Sequence, residues 1–245
     1  MFRFVTKKEL WTIEDSGIEA HLYPGGPPDF SLKAIQDKLA YKYLRHFKGK
    51  IIAEAGGGNS RLLPTLARQN SCYNIDPFEG AGQGPKVNSL PPEIVSVKSY
   101  LGRTDAIIND GAFDVLFSIS VVEHVPDDEL ESFFADSRRI LKADHGFALH
   151  MIDISTAEEP LPGFVKRYQL IKDEFFQHFL PLPGEIMGRD GDWAKALRFR
   201  PHYASNPDNV MRTWSMLVPE SKEVYETHQC CTLILAGWAK CRIAC

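Results

Sequence analysis

The sequence predicts an α/β fold in which a mostly parallel, doubly wound open sheet is covered by helices on both faces. Between residues 51 and 152, short apolar runs alternate with helical patterns, which is typical of strands joined by crossover helices. Three glycines, Gly56, Gly57 and Gly58, follow the first of these runs, and Asp76 ends the second. In such folds ligands bind where the carboxyl ends of the strands meet, so these residues also predict which edge carries the site.

Five apolar runs are predicted as strands, at residues 51–55, 72–76, 94–97, 113–119 and 146–152. Two amphipathic helices are predicted because apolar residues recur at three- and four-residue steps, one over residues 32–47 behind a cap at Ser31 and one over residues 130–141. A third helix follows the glycine turn from Arg61. Pro64 falls in its first turn, where a missing N–H is tolerated.

The chain is predicted to divide into four segments. Residues 1–30 are turn-rich and are expected to form an N-terminal flap, and residues 31–153 are expected to form the cofactor-binding core. Residues 154–228 are interrupted by prolines and include one good helical pattern over residues 164–179, so they are expected to form a lid or insertion. Residues 229–245 are expected to contain a final strand that rejoins the core sheet.

Composition narrows the functional class. The 245 residues are 44% hydrophobic and 24% charged, which is the balance of a globular protein. Lys and Arg total 28 against 32 Asp and Glu, a net charge of -4, so we do not expect a nucleic-acid partner. No apolar run approaches the roughly 18 residues of a membrane span, and we expect a cytoplasmic protein with no membrane partner. The five cysteines include no CxxC pair, which predicts reduced thiols.

The glycine turn and Asp76 predict a nucleoside-bearing cofactor. Glycines let the backbone approach a ligand closely, and the N-terminus of the following helix offers N–H groups to a carboxylate or phosphate. Asp76, 18 residues beyond Gly58, can accept hydrogen bonds from both hydroxyls of a ribose. A dinucleotide fingerprint would need glycine where Arg61 stands, and the Gly-Lys-Ser/Thr of a P-loop is absent, so phosphate ligands are disfavoured.

The same motifs resemble those of the class I S-adenosylmethionine-dependent methyltransferases, in their small-molecule, type 11-like branch. The first family motif is an acidic residue followed by two spaced glycines, here Glu54, Gly56 and Gly58. The acid that ends the second strand matches the ribose-binding acid, and residues 113–127 and 141–149 match two later motifs in the family's order. The resemblance implies a Rossmann-like methyltransferase fold, S-adenosylmethionine as cofactor with S-adenosylhomocysteine as product, and a small-molecule acceptor.

The resemblance also implies cofactor contacts at successive strand ends. They are Glu54, Ala55, Gly56, Gly57 and Gly58 for the methionine end, Asp76 and Pro77 for the ribose, Ser99 and Tyr100 for the adenine, and Ser118 and Ile119 for the methyl-donor pocket. The chain departs from the family pattern at Ser60, which replaces a frequent glycine and can instead cap the helix, and at Ser99 or Tyr100, where an acid is common. Ser118 occupies the place of an aspartate in metal-dependent relatives, so no metal is implied.

Methyl transfer needs a base only when the acceptor must lose a proton, because the donor methyl is already activated by its positive sulfur. Three residues near the strand ends are candidates for that base: His124, His150 and Asp153. His124 belongs to a Glu-His pair that commonly opens the following helix in this family, so packing or capping is its alternative role. His150 and Asp153 are three residues apart, and strand alternation sends them to opposite faces unless the strand has ended.

The acceptor is expected between residues 1–30 and residues 154–228, which flank the open edge of the sheet. Aromatic residues there indicate a moderately hydrophobic molecule, with oxygen as the default nucleophile and with carbon and nitrogen left open. Two other classes remain: a different enzyme that uses the same cofactor, and a non-catalytic cofactor-binding protein. The amphipathic helix of the second segment could equally pack on a second subunit, so a homodimer also remains open.

Overall fold

The computed structural model of the chain describes residues 1–14, 18, 22, 32–80, 84–104, 106–143, 145–184, 186–187, 191–198, 200, 203 and 228–241. Its strands are β1 (Phe2–Phe4), β2 (Ile51–Ala55), β3 (Ser71–Ile75), β4 (Val95–Val97), β5 (Val115–Ile119), β6 (Phe147–Ala157), β7 (Phe179–Pro181) and β8 (His228–Ala239). Its helices are α1 (Lys7–Glu14), α2 (Leu32–Leu44), α3 (Leu63–Leu66), α4 (Leu130–Ile140), α5 (Pro162–His178) and α6 (Trp193–Ala196), and 3₁₀ turns cover Val122–His124 and Asp127–Glu129.

The strands form one sheet in the order β1-β8-β6-β5-β2-β3-β4. β4, β3, β2, β5 and β6 run parallel to one another, whereas β8 runs antiparallel to β6. β1 and β7 both pair with β8, β1 opposite residues 233–235 and β7 opposite residues 237–239, so they share its outer edge. The predicted mostly parallel α/β sheet is confirmed. Because the parallel strands share a direction, the carboxyl ends of β2 to β6 lie at one edge.

Side chains alternate along β5 between two buried layers. Leu116 belongs to the layer that α4 and α5 cover, together with Phe134 and Phe175. Phe117 belongs to the layer that α2 covers, together with Leu39. A slip of one residue in the pairing of β5 would exchange these layers, so two-sided burial fixes the register of the strands that carry the site. None of the helices in the described part of the chain is long and apolar enough to cross a membrane.

Three segments differ from what the sequence predicts. β6 extends to Ala157 rather than to residue 152, because β8 pairs with it along its whole length. α5, expected in a lid, packs against α4 with the rings of Phe134 and Phe175 5.5 Å apart, so it covers the sheet as an ordinary crossover helix. The first residues of the expected flap form β1. Much of the predicted flap and lid, including Ser31 and residues 204–227, lies outside the described residues.

His150 lies within β6 and has no exposed surface. Its Nδ1 is 2.8 Å from the hydroxyl of Ser118 on β5. The rings of Phe133, Phe134 and Phe175 surround the imidazole at centroid distances of 6.0, 5.8 and 5.9 Å, and its Nε2 has no hydrogen-bond partner among the described residues. Burial lowers the pKa of His150 from 6.5 to about 3, so the neutral ring is the folded form.

This burial should make His150 an acid-sensitive element of the fold. Between about pH 6.5 and pH 3 the imidazole is charged only in the unfolded chain, so the folded state loses stability as the pH falls through that window. We expect the unfolding free energy of the wild type to fall, relative to that of His150→Gln, by about 1.4 kcal/mol for each pH unit from 6 to 4. Carboxyls that titrate in the same range are common to both proteins, so the difference isolates the histidine.

Denaturant unfolding at several pH values measures this difference. His46→Gln, which removes an exposed histidine, is the matched control. If the pH curves of the wild type and His150→Gln are parallel, the imidazole is not held neutral by the core.

Candidate functional site

The glycine turn begins at the carboxyl end of β2. Gly56 has a φ of 63°, in the left-handed region that side chains disfavour. A Cβ on Gly57 would lie 2.6 Å from Asn74 Oδ1 and 2.8 Å from Glu54 Cδ, which is closer than nonbonded atoms approach. The turn therefore needs glycine at one position for its backbone conformation and at the next for its packing. Ser60 closes the turn, because its hydroxyl accepts hydrogen bonds from the N–H groups of Leu62 and of Leu63, the first residue of α3.

Asp76 follows β3 and holds the turn in place. Its Oδ2 accepts a hydrogen bond from the N–H of Gly58 at 2.8 Å, and its Oδ1 accepts one from the N–H of Phe78 at 2.7 Å. Asn74, also on β3, donates from Nδ2 to the Gly58 carbonyl at 2.7 Å. Each carboxylate oxygen keeps a free lone pair, so Asp76 can still accept hydrogen bonds from ligand hydroxyls, with Pro77 beside it.

Glu54 is buried at the end of β2, and its Oε2 has no hydrogen-bond partner among the described residues. Desolvation raises the pKa of Glu54 to about 8, helped by the charges of Asp37 and Asp76 and opposed by the Ser60 hydroxyl and Arg61. Arg61 is itself paired with Asp37 at 2.6 Å. A buried carboxyl with an unused oxygen beside the glycine turn fits the ammonium group of an amino-acid ligand.

Ser99 and Tyr100, the predicted adenine contacts, follow β4 at the same edge. Tyr100 is 41% exposed, and its phenol donates to Glu79 Oε2 at 2.5 Å. The guanidinium of Arg103 lies 5.7 Å from the centre of its ring. The Ser99 hydroxyl bonds to the carbonyl of Arg103 at 3.3 Å. The exposed aromatic ring of Tyr100 offers a surface on which the adenine ring of a cofactor can stack.

The two residues predicted to line the methyl-donor pocket point to different faces of β5. The Ser118 side chain is buried against His150, whereas Ile119 packs in the layer under α2. Any contact of Ser118 with a cofactor would therefore come from its backbone. The next residue, Ser120, has a φ of 52°, an uncommon conformation for a residue other than glycine and one that tends to occur at functional sites.

The three base candidates occupy different environments. Asp153 lies at the carboxyl edge, where it accepts hydrogen bonds from Gln36 Nε2 and from the Ser120 hydroxyl. His124 is exposed in its 3₁₀ turn. His150 is enclosed on the opposite face of β6, so an acceptor could reach it only if the aromatic core opened. That position favours a structural role for His150 over the predicted catalytic one.

Sequence reasoning missed Glu123 as a site residue. Its Oε1 accepts a hydrogen bond from the backbone N–H of Asp153 at 3.1 Å, and the charge of the Asp153 carboxylate raises the pKa of Glu123, so the two carboxyl groups are neighbours at the edge of the sheet. The signal was present, since Glu123 directly precedes the candidate base His124 just after β5. Gln36 was missed as well, because it belongs to the polar side of a helix pattern and only the folded chain sets it against Asp153.

Residues 53–149 match the family model of the methyltransferase domain. This segment is therefore similar to a methyltransferase domain, and the predicted resemblance to the class I, S-adenosylmethionine-dependent methyltransferases is confirmed. The matched segment runs from β2 to the first residues of β6, so it includes the glycine turn and Asp76 but excludes α2 and everything after residue 149, including His150 and Asp153. No curated protein matches the sequence.

Solved structures share the fold of this methyltransferase domain with little sequence identity. The phosphoethanolamine N-methyltransferase 2 of Haemonchus contortus, solved with S-adenosylhomocysteine, is 15% identical with a TM-score of 0.55 over 93% of this chain and 58% of that one. The cyclase SpnF is 14% identical with a TM-score of 0.53 over 97% and 98%. A candidate sarcosine dimethylglycine methyltransferase of Galdieria sulphuraria is 12% identical with a TM-score of 0.51 over 93% and 98%. At such low identity the likeness establishes the fold and not the reaction.

Gly57→Ala should disable the cofactor site, because the added methyl would displace Asn74 or Glu54 from the turn. We expect the affinity for S-adenosylmethionine to fall by about tenfold or more, roughly 1.4 kcal/mol. Isothermal titration measures it. Gly163→Ala is the matched control, because nothing lies within 4 Å of a Cβ there. An unchanged affinity in Gly57→Ala would mean that the turn does not contact the cofactor.

Glu54 should make cofactor binding depend on pH. The carboxyl is protonated below about pH 8, and a bound ammonium would favour its charged form, so binding should release a proton. We expect the affinity for S-adenosylmethionine to rise by up to about tenfold per pH unit from pH 6 toward pH 8, and to fall above it because the α-amino group of the ligand loses its own proton near pH 8. Titration from pH 6 to pH 9 measures this profile. Glu54→Gln should remove the rise below pH 8, whereas identical curves for the two proteins would place the ammonium elsewhere.

Proposed function

We propose that this protein transfers the sulfonium methyl of S-adenosylmethionine to a nucleophile on a small-molecule acceptor, with hydroxyl oxygen as the first acceptor atom to test. The observation that carries the proposal is the hydrogen bond from Gly58 to Asp76, which ties the glycine turn to the acid at the end of the adjacent parallel strand. One carboxylate thereby shapes the turn and still has lone pairs for ribose hydroxyls.

The remaining cofactor contacts follow from the order of the strand ends. In this proposal Glu54 and the backbone of the turn hold the methionine end of the cofactor, and Asp76 with Pro77 holds the ribose. The adenine lies toward Tyr100, whose ring is exposed at the rim. The methyl group then faces the segment after β5, since β5 is the neighbour of β2 on the side away from β3.

The chemistry asks little of the protein beyond position. Bound S-adenosylmethionine supplies a methyl carbon attached to a positive sulfur, which is ready for in-line displacement. The chain has to hold the acceptor in line with that carbon, keep water out, and accept a proton if the acceptor loses one. Asp153 lies at the carboxyl edge of the sheet, where it can receive or position that proton. His124, which is exposed on the neighbouring loop, is the alternative.

A different reaction on the same fold is the main competing proposal. SpnF, a cyclase by name, has the same fold as this chain, so the fold alone does not determine that a methyl group is transferred. Product analysis separates the two, because methyl transfer yields S-adenosylhomocysteine and an acceptor that is heavier by one CH₂ unit. If this protein binds the cofactor without consuming it, the result favours a different reaction or a non-catalytic role in cofactor binding.

Asp76→Ala should weaken the binding of both S-adenosylmethionine and S-adenosylhomocysteine by about tenfold or more, roughly 1.4 kcal/mol, because the ribose loses its acceptor and the turn loses its anchor at Gly58. Isothermal titration of the folded variant measures the change. Asp128→Ala removes an exposed carboxylate from the 3₁₀ turn Asp127–Glu129 and should leave the affinity unchanged. The proposal would be abandoned if the folded wild type bound neither compound.

A further inference from the structure

A group of polar side chains at the carboxyl edge is not used by the cofactor site. Ser120 and Glu123 come from the loop after β5, Asp153 comes from β6, and Gln36 comes from α2. The Ser120 hydroxyl is 2.9 Å from Gln36 Oε1 and 3.1 Å from Asp153 Oδ1, and Glu123 Oε1 accepts from the Asp153 N–H. We call these four residues the acidic pocket. They link three separate elements beside the expected position of the methyl group.

The acidic pocket lies next to the glycine turn. Val121 stands between Ser120 and Glu123 in the chain, and its Cγ2 would be 2.6 Å from a Cβ placed on Gly56. The loop that supplies half of the pocket therefore packs directly on the turn that would hold the methionine end of the cofactor. A ligand in the pocket would be a neighbour of that end of the cofactor.

The two carboxyls of the pocket have little positive charge to balance them. Lys33 on α2 approaches Asp153 only to 3.8 Å, with 47% of its side chain exposed. Arg167 on α5 lies near Glu123, but it donates to the carbonyls of Glu123 and Val125 and pairs with Asp127. Neither Lys33 nor Arg167 therefore forms a close, buried ion pair with the carboxyl groups of Glu123 and Asp153.

Two buried polar atoms around the pocket lack partners. Glu123 Oε2 is buried and has no hydrogen-bond partner in the described part of the chain. Thr232 Oγ1 is in the same situation, with its residue fully buried. Thr232 lies on β8 directly opposite Asp153, so the two side chains share a face of the sheet. An unpaired buried polar atom costs folding free energy, and a ligand that supplies its partner recovers that cost.

The protonation of Glu123 reports the same imbalance. Desolvation raises the pKa of Glu123 to about 8, and the negative charge of Asp153 is the next largest cause of that rise. The positive charge of Lys33 lowers the pKa, but its effect is smaller than either of these. Cys230 on β8 and Tyr168 on α5 also face this pair, and burial raises the pKa of both, so they add no positive charge. A bound cation would favour the charged form of Glu123.

We propose that the acidic pocket binds a positively charged amine, the cationic group of the methyl acceptor, through Glu123 and Asp153. The acceptor would then be an organic ammonium compound. For methylation on nitrogen, the bound ammonium would first give a proton to the carboxylate of Asp153, and for methylation on a nearby hydroxyl that carboxylate would take the hydroxyl proton. In both cases the freed lone pair would attack the methyl carbon while the carbon–sulfur bond breaks to leave S-adenosylhomocysteine. This inference rests on the proposed function for the identity of the ligand as acceptor. The binding of the cation itself can be tested without methyl transfer.

The test uses probes that differ in charge and not in shape. Choline is compared with 3,3-dimethylbutan-1-ol, its uncharged carbon isostere, and benzylamine is compared with benzyl alcohol. Their binding to the protein saturated with S-adenosylhomocysteine is measured by ligand-observed NMR. We expect the charged member of at least one pair to bind at least tenfold more tightly than its neutral partner. The affinity for choline, which does not titrate, should rise with pH up to about 8.

Two variants identify the residues responsible. Glu123→Gln and Asp153→Asn keep the shape of the side chains and should each reduce the preference for the charged probe at least fivefold, and Glu123→Gln should remove its pH dependence. Glu131→Gln, the same chemical change at an exposed position on α4, is the control. Thermal unfolding and S-adenosylhomocysteine titration show that each variant is folded with its cofactor site intact.

The outcomes separate this inference from the proposed function. Equal binding of charged and neutral probes, no binding of either charged probe, or a charge preference unchanged in both Glu123→Gln and Asp153→Asn would overturn the acidic pocket as a cation site. Those results leave cofactor binding and product analysis untouched. Absence of S-adenosylhomocysteine binding by the wild type would instead overturn the proposed function, and the probes would then be titrated without it.

Discussion

The shape of the candidate site depends on parallel pairing between β2 and β3. That pairing brings the ends of the two strands side by side, so that the turn after β2 lies within hydrogen-bonding distance of Asn74 and Asp76. Asn74 holds the Gly58 carbonyl and Asp76 holds the Gly58 N–H, which fixes the peptide units on both sides of one glycine. Without β3 the turn would have no defined shape, and Glu54 would lose the enclosure that raises its pKa.

The cofactor side and the acceptor side of the site each contain a buried carboxyl group with an oxygen that has no hydrogen-bond partner among the described residues. Glu54 lies at the turn and Glu123 at the acidic pocket, and the pKa of each is raised to about 8 mainly by desolvation. In the folded state each carboxyl stays protonated up to about pH 8, whereas in the unfolded chain it ionises near pH 4.5. The folded state is therefore unaffected by these groups below pH 4.5 and loses stability as the pH rises from 4.5 toward 8. His150 has the opposite dependence, since its burial is unfavourable only in acid.

α2 contacts both the acidic pocket and the glycine turn. Gln36 bonds to Ser120 and Asp153 on the acceptor side, and the next residue, Asp37, pairs with Arg61 beside the glycine turn. Consecutive helical positions point about 100° apart, so one helix turn can serve two neighbouring strand ends. α2 lies outside the segment that matches the methyltransferase model, which begins at residue 53.

The sequence by itself determined the parallel sheet, the glycine turn and Asp76, because these depend on short-range patterns: apolar runs of strand length, glycines after a strand, and an acid at the end of the next. It did not determine the length of β6, which β8 sets from more than 70 residues further along the chain, or the place of α5, whose apolar face suits a lid and a crossover helix equally well. The pairing of Glu123 with Asp153 and the enclosure of His150 also required the tertiary structure. A carboxyl or an imidazole has the same formula in water and in a core, and only the folded chain decides which of them loses its solvent and what replaces it.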